Sequence, residues 1–204
     1  MRLLPIPISD RMNEVWLYTD EREDILASLH MVSASCAAVN KAVGAWKWIV
    51  VGTHSALQSA IAFHLGFGND LLVARQEDAA AWLAAHEEGS PYPEMMMDTF
   101  PGLYKKLKKH EVLGYRFAPT GTQGGSINRL NRFRNEFVHF MPKGWSIELS
   151  GMPGICSDCL DVIGLIDQNS LAMRWENEQQ HGEFLEVLGQ CQLKLKELQD
   201  AYAR

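Results

Sequence analysis

The run from Trp48 to Leu65 is the longest apolar stretch of the chain, and it limits what the rest can fold into. It carries His54, Gln58 and His64, which a bilayer span would not tolerate, so it is expected as a buried core helix. Trp46 opens it and Gly66 and Gly68 are stop signals, which predicts a helix over 46–65. A helix that is apolar on nearly every side must be surrounded by other elements. Those elements read as helices. The acid-rich run Asp20-Glu21-Arg22-Glu23-Asp24 opens one that runs to about Val43, and others are expected over 71–87, from Asp98 or Thr99 to His110, from Ser126 to about Phe140, and over 153–166. Asn169 or Ser170 caps a last one that reaches Tyr202. Only Trp145, Ile147 and Leu149, alternating with Ser146, Glu148 and Ser150, suggest an extended arm, and one strand makes no sheet. The expectation is an all-α helical bundle, with one helical domain over 1–204.

A chain of 204 residues with 47% hydrophobic content can bury one sizeable core. Pro5 and Pro7 interrupt the start where a signal peptide would be continuously apolar, so the expected location is cytoplasmic, with no membrane role. The four cysteines, Cys36, Cys156, Cys159 and Cys191, are too dispersed for a disulfide framework. Cys156 and Cys159 have zinc or redox spacing but lack a second ligand pair, and are expected to pack in the core.

The net charge of −6 is unevenly spread. From Leu103 to Lys143 nine Lys and Arg face two Glu, a net of +7, which leaves −13 for the remainder. A cationic middle in an acidic body can hold phosphates while limiting non-specific binding. The lysines at 105, 106, 108 and 109 read equally well as a solvated helix face. Gly121, Gly124 and Gly125 precede the next helix and could cradle an anion with backbone amides, though no P-loop lysine follows.

That next helix carries the chemistry. Ile127, Leu130, Phe133, Phe137 and Phe140 recur at three and four residues, and Pro142 stops the helix, placing His139 in its last turn. At about 100° per residue the apolar arc spans roughly 160°. Arg134 falls inside it beside Leu130 and Val138, so the guanidinium is expected to need a buried partner. Asn131, Asn135 and His139 follow one another on the adjoining edge, one turn apart. His54 and Gln58 form a polar seam on the core helix that could face Arg134 and Asn135, or could bond only to backbone groups.

Arg134 and Asn135 followed by His139 resemble the R-N-x-x-x-H motif of the superfamily called higher eukaryotes and prokaryotes nucleotide-binding, or HEPN. The resemblance implies an HEPN-like bundle, usually homodimeric, in which paired motifs line one cleft. Many such proteins are metal-independent endoribonucleases of the toxin or defence type, and a cognate antitoxin is then an implied partner. Others have no demonstrated catalysis, so a helical scaffold that binds RNA, nucleotide or protein is the competing expectation. For the nuclease, the resemblance implies Arg134, Asn135 and His139 as the catalytic set. Arg129, Arg132, Lys143, His54 and Gln58 are the candidate substrate-binding residues. No cofactor is implied.

Overall fold

A computed structural model describes residues 16–139, 142 and 144–203. Among these, seven α-helices follow one another: α1 (Glu21–Ala38), α2 (Trp46–Leu65), α3 (Gln76–Glu88), α4 (Phe100–Lys109), α5 (Gln123–Val138), α6 (Met152–Asn169) and α7 (Glu178–Tyr202). A 3-10 turn at Val43–Ala45 precedes α2. No strand forms among the described residues; two isolated bridges, Ala74 to Met97 and Val112 to Tyr115, are the only β pairing there. The architecture is an all-α bundle. No helix among the described residues is long and apolar enough to cross a membrane.

α2 occupies the expected span and packs against α1, α4, α5 and α6. Ile49, Val50, Ala56, Leu57, Ala60 and Ile61 on it have no exposed surface, as a helix apolar on most sides requires. α1 approaches it most closely at Gly52, where a Cβ would lie 2.8 Å from a Val32 methyl and 3.0 Å from the Ser28 carbonyl oxygen. Asp24 of α1 accepts hydroxyl bonds from Ser55 (3.0 Å) and Ser59 (2.6 Å), tying the two helices along one edge. Gly52→Ala is therefore expected to destabilise the protein by about 1 to 3 kcal/mol despite alanine's better helix propensity. Urea unfolding of the variant measures this, and an unchanged or raised midpoint would contradict the close approach.

α7 covers α1 and α6 with Phe184, Val187, Leu188, Cys191, Leu195 and Leu198, a stripe at helical spacing. Gly182 and Gly189 lie inside this helix without breaking it. All four cysteines are buried as free thiols, and burial pushes the Cys156 thiol up to about 12. Cys156 and Cys159 share the core face of α6, where they act as small apolar groups.

Several boundaries differ from the sequence expectation. α1 ends at Ala38 rather than Val43. The third helix starts at Gln76, after a turn in which Asp70 adopts φ 60°. α5 begins at Gln123, three residues before Ser126. The chain leaves helix after Asn169, and α7 starts only after Asn177, whose side chain accepts the Gln180 N–H at 2.9 Å. Tertiary bonds account for that break: the Ser170 hydroxyl lies 2.6 Å from His64 Nδ1, and the Trp175 indole N–H donates to Asp167 at 2.7 Å. The 145–150 segment keeps its alternation, with Trp145, Ile147 and Leu149 half-buried and the residues between them exposed, but has no ladder partner.

Candidate functional site

α5 lies against α2 and α6 but is not the second core helix that its apolar stripe suggests. Ile127 and Leu130 are buried, whereas Phe133 and Phe137 are half-buried and Val138 is 44% exposed. Phe140 lies outside the described residues. The first half of the helix is thus buried in the core, while Phe133 and Phe137 pack only partly against it and the motif at the helix end reaches solvent. Asp158 of α6 secures the start, accepting hydroxyl bonds from Thr122 (2.7 Å) and Ser126 (2.5 Å). That carboxylate stands beside the helix start, where its charge disfavours a second anion at residues 121–125.

Arg134 is half-buried, and its Nη1 donates to Asn135 Oδ1 at 3.1 Å and contacts His139 Nε2 at 3.2 Å. A guanidinium can only donate, so in this contact His139 Nε2 is the acceptor. His139 is the C-cap residue: its N–H still bonds to Asn135 O at 2.8 Å, while φ −124° and ψ 30° take the chain out of the helix. Leaving the helical path swings the ring back to the arginine five residues earlier. Among the described residues no carboxylate pairs with Arg134, and the expected buried counter-ion is not there. The charge is instead tolerable because the side chain reaches solvent.

His54 joins the cluster from below. It is 4% exposed on α2, with its Nε2 3.1 Å from Asn131 Oδ1 and its ring 4.2 Å from that of Phe100 on α4. Burial pushes its pKa down to about 4; the Asn131 bond opposes this and the Arg134 charge adds to it. The ring is therefore neutral near pH 7 and donates its Nε2 proton to the amide oxygen. It sits too deep to touch a substrate. It holds Asn131, whose amide stands in the polar row with Asn135 and His139. Gln58, one turn along α2, is half-buried and no hydrogen bond joins it to the cluster. The ring of Phe100 against His54 carried no signal in the sequence, because an aromatic residue at a helix start reads as ordinary core.

The remaining substrate-binding candidates separate. Arg129 and Arg132 are exposed on the outward side of α5 and line a groove with the 145–151 segment. Lys143 lies outside the described residues. In the lysine cluster, Lys106 is committed to Asp98 (2.7 Å) and the Ala74 carbonyl (2.5 Å), and Lys108 lies over Tyr104. Lys105 and Lys109 remain solvated.

No family model, no curated protein and no solved structure matches the chain.

Proposed function

We propose that the chain is an HEPN-like, metal-independent endoribonuclease of the toxin or defence type, acting as a homodimer. One observation carries this reading: a half-buried guanidinium without a carboxylate partner among the described residues, bonded to Asn135 and His139 at the exposed end of α5. A scaffold would have reason to neutralise that charge with an acid. A phosphate-binding site has reason to leave it for the substrate.

In the proposed reaction a ribose 2′-oxygen attacks the adjacent phosphorus as the bond to the 5′-oxygen breaks, leaving a cyclic phosphate and a 5′-hydroxyl. A phosphate that takes the Arg134 guanidinium releases His139 Nε2, whose lone pair then accepts the 2′-hydroxyl proton. Arg134 neutralises the charge growing on the phosphate oxygens, and Asn135 orients the phosphate or ribose. The leaving 5′-oxygen needs a proton from a second group, which the partner subunit's motif supplies if two motifs share a cleft.

The test is RNA cleavage by purified protein in a metal chelator, with end-group analysis and sedimentation on the same preparation. Cyclic phosphate ends and a dimer at tens of micromolar are expected, since an interface of only about −8 kcal/mol would be substantially formed there. Intact RNA, or a monomer at that concentration, would remove the nuclease reading or its shared site respectively.

A further inference from the structure

The outward side of α5 and the 145–151 segment enclose a groove of about 640 Å³ that the Arg134 cluster does not use. Arg129 and Arg132 reach into it, and neither is paired with a carboxylate among the described residues. Arg132 lies over the Phe133 ring at 5.3 Å from its centroid. The Arg129 guanidinium folds over Gly151, with Nη2 3.7 Å from where a Cβ would stand. Trp145 also lines it, half-buried, with its indole set edgewise on Phe137 at 5.0 Å. Two carboxylates line the groove as well, Glu136 on α5 and Glu148, which accepts the Ser150 hydroxyl at 2.6 Å.

Two guanidiniums without a carboxylate partner among the described residues, beside an indole, fit an anionic group joined to a flat ring. We propose that this groove binds a nucleotide unit of a single-stranded RNA, its phosphate on Arg129 and Arg132 and its base against Trp145. Each component is sequence-tolerant, because every nucleotide carries a phosphate and every base a π-face. The position relative to the motif favours a strand over a free nucleotide. Arg132 and His139 are seven residues apart on one stripe of α5, about 10 Å along the axis. At about 3.4 Å per stacked nucleotide this is roughly three units, so a strand lying on the exposed side would pass from the groove to His139. Strand binding here rests on the proposed nuclease reading for its purpose but not for its measurement.

The experiment uses the full chain carrying His139→Ala, so that RNA stays intact, and a fluorescein-labelled eight-residue oligouridylate followed by anisotropy at several salt concentrations. Adding Arg129→Gln with Arg132→Gln should weaken binding at least tenfold. It should also lower the salt slope by about 0.7, the value for one neutralised phosphate on a single strand. Trp145→Leu should weaken binding by roughly fivefold or more with the salt slope unchanged. Because Trp145 also packs on Phe137, its variant is read only beside an unchanged thermal melt, and the exposed arginine pair decides the matter if it unfolds. Equal affinity in the arginine variant overturns the groove proposal and leaves the nuclease reading standing. No binding to the His139→Ala chain at tens of micromolar in low salt also overturns it. Displacement of the oligomer by near-equimolar uridine monophosphate would overturn the strand assignment in favour of a free nucleotide. Groove-dependent binding without cleavage by the unmodified chain would uphold the groove and remove the nuclease.

Discussion

His139→Ala is expected to lower RNA cleavage by roughly 100- to 10,000-fold, the range of a positioned acid or base, while the unfolding midpoint stays unchanged. The side chain is exposed at the helix terminus, so its removal uncovers no core. Arg134→Ala is expected to lower cleavage by roughly 100- to 1,000-fold, the loss typical of one fixed charge-stabilising donor. Arg134→Lys should recover only part of it, because an ammonium keeps the charge and loses the planar fork. With no buried acid left behind among the described residues, the alanine variant should keep its stability to within about 1 kcal/mol. Arg134 on an apolar arc had suggested a far larger cost, and the half-exposed position of the side chain is what reduces it. Mixing inactive His139→Ala and Arg134→Ala subunits asks whether one site draws on both chains; regained cleavage means that it does. If wild type and His139→Ala cleave at the same rate, another site or a contaminant is responsible.

The second large effect is on stability against pH. His54 and His64 are both held neutral in the fold, burial pushing each pKa from 6.5 down to about 4. His64 has no exposed surface, lies with Nδ1 2.6 Å from Ser170 Oγ, and leaves Nε2 without a partner among the described residues. Between pH 6.5 and about 4 the unfolded chain binds protons that the folded chain refuses. Stability therefore rises with pH across this window and is lost as pH falls through it. The difference is worth about 3 kcal/mol for each histidine, or about 6 together, which is comparable to the whole stability of many domains. Urea unfolding at pH 7, 6, 5 and 4 should show a falling midpoint before ordinary carboxylates protonate. His64→Gln should remove about half of that dependence. A midpoint flat from pH 7 to pH 4.5 would mean that both rings are protonated in the folded state.

The fold class was legible because helical periodicity is a local property. α2 spans the predicted 46–65 since its apolar run, its entry and its glycine stop all lie within the segment. The polar row of Asn131, Asn135 and His139 followed from 3.6-residue spacing on α5. Its contact with His54 could only be suspected, because which face of α2 meets α5 is set by packing between helices distant in sequence. The same reason limits what periodicity says about depth. Periodicity shows that Phe133 and Phe137 share a face with Ile127, but not that burial falls off after Leu130. Likewise Arg134 had a predictable direction, while the medium it points into, a solvent-reaching edge, depends on where the neighbouring helices stop. Ser170 reads as a helix cap in the sequence and is taken by His64, 106 residues earlier in the chain. Local spacing determined the helices and the order of side chains along each one. Tertiary packing decided which of those side chains meet, how deeply each is buried, and so the charge each one carries.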